Sequence, residues 1–322
     1  MSVPTIAPTA EQVVPPISAS RPRSRTNLAY FYLLPIIVSA ALFTIAPFIY
    51  TFYISFTNYG LLHFAAFDWV GWKNYEEVFT SGSEFFPVLK WKGFWMVLTT
   101  VINVGFGMIL ALMLNHPGIH ERGLYRTLLI IPWALPFILL VQVWSGLFQA
   151  QGPINQVLED AGFDSVAWLP TFGDATPARI ALLTVNLWFT FPFFMTVGLA
   201  ALQAIPRDLY EVADLDGAGS WRRLRDITFP FLLTAITPLL ITQMAFQFNN
   251  AGVIILFSSG NPAGEPGSVW GKTDTLASYA YYIFFEDRNY GLAAAYGVVI
   301  FFIIASLTVA SSILTGSFKE AD

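Results

Sequence analysis

EVADLDGAGSWRRLRDITFP, residues Glu211 to Pro230, is the stretch on which the fold of this chain turns. It is the most polar segment in the apolar C-terminal two-thirds of the protein. Acids come first (Asp208 just ahead, then Glu211, Asp214 and Asp216), and Arg222, Arg223 and Arg225 follow. Pro206 suits the first turn of a helix, where the N–H it lacks would be unpaired in any case. Gly217 suits the left-handed residue that ends that helix. Ser220 is placed to cap a second short helix and Pro230 to close it. The stretch therefore predicts helix, tight turn, helix, between two apolar segments.

Composition says what those segments are. The chain has 322 residues, 55% hydrophobic and 11% charged, against about 25% charged in soluble domains. Mean hydropathy is +0.59. The fold class expected is an all-α polytopic membrane protein. Cysteine is absent, which excludes a disulfide framework, a thiolate metal site and a cysteine nucleophile. The net charge of −5 says less than how charge is distributed over the loops. The first apolar stretch follows Arg21, Arg23 and Arg25 and is too long for the h-region of a cleaved signal, so it reads as an uncleaved first span.

Six spans are expected, at roughly 28–56, 93–115, 127–148, 179–203, 231–258 and 291–316. Each is long enough for the ~30 Å hydrocarbon layer. Pro35 and Pro47 are candidate kinks in the first. By segment, 1–26 is expected to be a disordered cytoplasmic N-terminus, rich in Pro, Ser, Thr and Ala. Residues 27–92 hold the first span and an outer loop with Trp69, Trp72 and Trp91. Residues 93–318 form a five-span core that includes the central loop 204–230, and 319–322 are a cytoplasmic tail. Arg21, Arg23, Arg25, Arg122, Arg126, Arg207, Arg222, Arg223, Arg225 and Lys319 fall on one side. Lys73, Lys90, Lys92, Arg179, Lys272 and Arg288 are spread over longer loops on the other. The positive-inside rule puts both termini and the central loop in the cytoplasm.

On this placement no Asp, Glu, Lys, Arg or His lies inside a span, which argues against proton or sodium coupling and against a charge-ring channel. His63, His116 and His120 form no catalytic motif. Gly267 to Thr273 ends like a P-loop, but three residues rather than four separate Gly267 from Gly271, and the segment falls on the outer side. Gly105 and Gly107 read as helix-packing positions. The spans offer amides and hydroxyls instead. Gln243, Gln247 and Asn250 fall at i, i+4 and i+7 beside Phe246, and Asn186, Thr190 and Phe193 lie in the preceding span. Such a stripe suits a neutral, hydroxyl-rich solute. On the residues alone, polar glue between helices is the blander reading and the one they favour.

The central loop resembles the EAA loop of binding-protein-dependent ABC importer permeases. Glu211, Ala213, Gly217, Ile227 and Pro230 stand at that family's spacing, while Val212 and Phe229 depart from it. Asp216-Gly217-Ala218 is similar to the sugar-importer branch. Phe248 to Pro262, FNNAGVIILFSSGNP, resembles the larger (F-type) maltose/maltodextrin permease, and the likeness covers about 95–316. The resemblance implies the type I permease fold, with Glu211, Ala213, Asp216, Gly217, Ala218, Ile227 and Pro230 coupling to an ATPase. It implies a sugar pocket at Thr190, Phe193, Gln243, Phe246, Gln247 and Asn250. Gln247 replaces the usual asparagine, and Gln243 stands where a small residue is expected. Neither the large extracytoplasmic insertion nor the extra N-terminal spans of the enteric subunits is expected here, the first outer loop being about 35 residues long.

The partners implied are a second homologous permease, two ATPase subunits and an extracytoplasmic sugar-binding protein, in a bacterial inner (plasma) membrane among its lipids, with no nucleic acid. The chain itself would be non-catalytic and hold no cofactor, ATP and Mg residing on the ATPases. The function implied is import of maltose, maltodextrin or a related di- or oligosaccharide. A secondary transporter or channel for a neutral solute is the alternative.

Overall fold

The structure, a computed structural model, describes residues 26–80, 85–264 and 270–314. The expectations for the disordered N-terminus, for Gly267 and for the tail at Lys319 lie outside the described residues. The chain divides into two units, Met1–Ile49 and Tyr50–Asp322. In the first, α1 (Thr26–Ala40) passes through a π turn, Ala41–Ile45, into α2 (Ala46–Ile54). The turn stands just ahead of Pro47. A proline removes one helical N–H and crowds the carbonyl four residues back, and a wider turn relieves both.

The remaining helices are α3 (Lys73–Phe79), α4 (Phe85–Asn115), α5 (Arg122–Ala134), α6 (Phe137–Leu147), α7 (Pro153–Asp160), α8 (Thr176–Ala204), α9 (Arg207–Leu215), α10 (Ser220–Arg223), α11 (Phe229–Asn249), α12 (Leu276–Phe285) and α13 (Tyr290–Leu314). No strand occurs among the described residues; Thr57 with Trp69 and Ala263 with Gly271 form isolated bridges. Among the described residues five helical stretches, Tyr30–Ile54, Phe85–Asn115, Thr176–Ala204, Ser220–Ser258 and Tyr290–Ile313, are long and apolar enough to cross a membrane, and α5 with α6 makes a sixth span if counted as one.

The unit is built on α4 and α8. A Cβ on Gly107 would meet Phe194 Cβ at 2.6 Å, and one on Gly198 would meet Ala111 Cβ at 2.8 Å. The two backbones can approach so closely only because neither position carries a side chain. Gly105, also expected to pack, faces open space. Ala111, Met195, Leu199 and Leu232 fill the interior at one end, and Trp95, Val141, Leu182 and Ile254 at the other.

Four expectations change. The third span is broken: α5 and α6 meet at 93°. Leu135, forced out of the helical region by the proline after it, is extended (φ −79, ψ 147), and Pro136 begins a new helix. The second short helix is not closed by Pro230. A π turn at Leu224–Thr228 absorbs that proline, as at Pro47, and α10 runs on into α11. Its N-cap is Gly219, not Ser220. The fifth span is interrupted, because Asn250 turns extended (ψ 111) before a π turn resumes at Ile254–Ser258. Finally, α4 includes Lys90 and Lys92, so a span does contain a buried ionisable residue. Lys92 is 0% exposed, and its Nζ donates to the Asn250 carbonyl at 3.2 Å.

The loop into α12 is organised by Asp274, which is 1% exposed. It accepts from the Gly271 N–H at 2.7 Å and the Ser278 hydroxyl at 2.7 Å. Thr275 and Ser278 then close a reciprocal capping box at the start of α12. Burial pushes the Asp274 carboxyl up to about 6, against the pull of its two hydrogen bonds.

Candidate functional site

The break at Pro136 opens a cavity of about 490 Å³ between α5, α6, α8 and α11. Pro132, Trp133, Leu135 and Phe137 come from the broken span, Phe189, Thr190 and Phe193 from α8, and Thr242, Gln243, Phe246 and Asn250 from α11 and its cap. The rings interlock: Trp133 lies 6.2 Å from Phe193, and Phe137 meets Phe189 edge-on at 5.1 Å. No charged side chain lines this cavity among the described residues. Its polar groups are two threonine hydroxyls and two amides. Gln243 is 9% exposed, and its Nε2 has no hydrogen-bond partner. A buried amide without a partner costs about 1–3 kcal/mol, so the site is left wanting an acceptor.

Of the residues expected in a pocket, the structure brings together Thr190, Phe193, Gln243, Phe246 and Asn250 and leaves out Gln247. Gln247 is fully buried. Its Nε2 donates to Asn186 Oδ1 at 3.0 Å, and Asn103 Nδ2 donates to the same oxygen at 2.9 Å. These three amides tie α4, α8 and α11 together. The two readings of the polar stripe thus divide: Gln247 joins helices, and Gln243 and Asn250 face the cavity. Trp133, Phe137, Phe189 and Thr242 were not foreseen; Pro132 and Pro136, close together in the third span, were the available signal.

The central loop forms a second site. α9 ends at Leu215 with a Schellman motif: the Ala218 N–H reaches the Ala213 carbonyl at 2.8 Å and the Gly217 N–H reaches that of Asp214 at 3.1 Å. Gly217 has φ 72. Asp214 pairs with Arg223 and locks the two short helices together. Ile227 and Tyr210 pack against the Leu199–Leu232 core, and Tyr210 and Thr228 share a hydrogen bond at 2.9 Å. Phe229, which departs from that family's pattern, is exposed. Glu211 and Asp216 are exposed; neither is in an ion pair within the chain among the described residues. Around them Val212, Leu215 and Trp221 are exposed by 57%, 88% and 74%. So much bare apolar surface on a charged loop marks an interaction face.

A helical, multi-pass chain with a charge-free central cavity and a protruding polar loop defines a membrane translocation subunit. The comparisons carry this to a family. Residues 103–319 match the family described as "Binding-protein-dependent transport system inner membrane component", and the chain belongs to it. The chain is 36% identical over 293 residues to the galactooligosaccharides transport system permease protein GanP of Bacillus subtilis (strain 168), covering 88% of this chain and 68% of that one. It is 34% identical over 293 residues to the maltodextrin transport system permease protein MalC of Streptococcus pneumoniae serotype 4, covering 87% and 67%. Against the maltose/maltodextrin transport system permease protein MalF of Escherichia coli (strain K12) identity is 37% over 248 residues, 74% of this chain and 48% of that one. In fold it matches a chain from the crystal structure of a bacterial alginate ABC transporter in complex with an alginate pentasaccharide-bound periplasmic protein. There the TM-score is 0.77 and identity 23%, covering 90% of this chain and 94% of the other.

Proposed function

We propose that the chain is the non-catalytic membrane subunit of an ATP-driven importer for a neutral oligosaccharide, of the maltodextrin or galactooligosaccharide kind. The observation that carries this reading is the cavity. Five aromatic rings suit the apolar faces of sugar rings, and Thr190, Thr242, Gln243 and Asn250 suit their hydroxyls. The unpartnered Gln243 amide supplies a donor for one of them. The kinds of solute come from the printed names of GanP and MalC. The energy would come from two ATPase subunits, one of them docked on Glu211–Pro230, where exposed Val212, Leu215 and Trp221 offer the contact. A second permease and an extracytoplasmic sugar-binding protein complete the assembly. ATP and Mg are held by the ATPases, and the membrane is the bacterial inner membrane, with the loop on its cytoplasmic side.

The test is uptake of maltotriose and galactotriose by the reconstituted transporter, with Gln243→Ala beside the wild type. Loss of one hydrogen bond, about 0.5–1.5 kcal/mol, raises KM roughly two- to tenfold, with the amount of assembled complex unchanged. Uptake of neither sugar, or loss of uptake only in step with loss of complex, overturns the reading.

A further inference from the structure

Lys92 is the one lysine of the described chain that is wholly buried, at 0% exposure. A charge taken out of water is expensive unless it is paired, and an unbranched apolar side chain would fill the same space. No carboxylate pairs with Lys92 among the described residues. Its Nζ is spent on one acceptor, the Asn250 carbonyl at 3.2 Å, with the Phe248 ring centroid 6.0 Å away. That carbonyl lies at the C-terminal end of α11, where the aligned peptide dipoles leave partial negative charge and a helix lacks donors of its own. Here α11 stops beside the cavity that Asn250 lines. Asn250 turns extended, its Oδ1 takes the Gly252 N–H at 3.1 Å, and its side chain lines the cavity.

We infer that Lys92 is a positioning residue for the cavity: its ammonium, seated on the Asn250 carbonyl, caps the broken fifth span and holds Asn250 against the bound solute. Lys92 itself does not line the cavity, so it acts through Asn250 alone. The kinetic part of this inference rests on the sugar-importer reading above; the geometric part does not.

Two measurements on the fully assembled, reconstituted transporter test it. The first uses no sugar. This chain has no cysteine, so Asn250→Cys gives it a single thiol. Modification of that thiol by iodoacetamide is followed by mass on this chain, with Lys92 and with Lys92→Met. Methionine keeps the length and removes the charge. Loss of a charge-assisted bond slows modification about tenfold; an unchanged rate overturns the inference. The second uses maltotriose uptake. Lys92→Met and Asn250→Ala each raise KM about tenfold, and the double variant is no worse than either. Multiplied effects, or a KM untouched by Lys92→Met, overturn it. Should Lys92→Met fail to assemble, Lys92→Gln, too short to reach the carbonyl, enters both measurements in its place with the same expected outcomes. If the wild type takes up neither maltotriose nor galactotriose, the sugar reading falls, and the thiol measurement still decides the role of Lys92.

Discussion

Gly217 stands at φ 72 with no atom within 4 Å of where a Cβ would be, so what it supplies is conformation rather than space. An L-residue there costs about 1–2 kcal/mol, and a β-branched one is a true outlier. Gly217→Val therefore loosens the Schellman turn that sets α9 against α10. The expected result is normal membrane insertion with uptake lost and ATP hydrolysis no longer answering to the sugar-binding protein; normal uptake would show the turn to be dispensable. Gln247→Ala has a different expected outcome from Gln243→Ala. It removes one of the two donors on Asn186 Oδ1 and leaves Asn186 Nδ2 without its Gln247 acceptor inside the protein, at a cost of about 1–3 kcal/mol. The variant melts lower, with its preference among sugars unchanged. A changed preference at unchanged melting would put Gln247 back in the pocket. The sequence showed that Gln243, Gln247 and Asn250 share a stripe, because about 100° per residue follows from the helix alone. Which flank of the stripe meets α4 and α8 is set by tertiary packing. One helix's pattern contains no term for that.

Breaks, rather than spans, make the cavity. The third span fails at Leu135-Pro136 and the fifth at Asn250-Ala251, and both breaks border the same space. Pro136→Ala restores an N–H and relieves Leu135 of its extended bias, so helix can propagate from α5 into α6. The expected effect is a higher KM for maltotriose with complex yield retained; an unchanged KM would show that the 93° bend is held by packing alone. The prolines were visible in the sequence, but whether one kinks a helix or severs it depends on what the freed groups meet. Likewise, a π turn before Pro47 and another before Pro230 keep both helices running where proline rules alone would end or kink them. The start of α4 was misplaced for a related reason. Lys90 and Lys92 look like loop residues by charge, and nothing local announces that a helix C-terminus lies ready to receive one of them.

Over the whole molecule, two kinds of charge carry predictions. Asp274 is of the buried kind. Its folded value of about 6 lies above the ordinary carboxylate value near 3.9. Between about pH 4 and 6 the folded protein thus binds more protons than the unfolded, and this group's contribution falls as pH rises. At neutral pH the ionised carboxylate costs about 2–3 kcal/mol. Wild type should therefore lose melting temperature relative to Asp274→Asn as pH goes from about 4 to 7; a constant difference would show that Asp274 does not titrate in this window.

Surface charge argues for an orientation. Arg122, Arg126, Arg207, Arg222, Arg223 and Arg225 belong to the 116–126 segment and the central loop, which fall on the same side when the spans are counted along the chain. With Lys92 buried inside α4, the opposite side presents one cation fewer than the sequence alone suggested. Arg179 is drawn inward as well, stacking on Trp91 with its guanidinium carbon 3.9 Å from the ring centroid and donating to the Lys272 carbonyl at 2.9 Å. Cations in short loops resist translocation, so the corrected distribution argues more strongly for a cytoplasmic central loop. Ser220 and Ser165 are both exposed and lie in segments assigned to opposite sides. In a chain without cysteine, Ser220→Cys and Ser165→Cys each report one side cleanly. A membrane-impermeant maleimide applied to intact cells stripped of their outer barrier should label Ser165→Cys and spare Ser220→Cys. Inverted vesicles should give the opposite. Ser220→Cys labelled in the intact cells would turn the chain over in the membrane, set Glu211–Pro230 on the side that has no ATP, and leave the exposed Leu215 and Trp221 without an ATPase to meet.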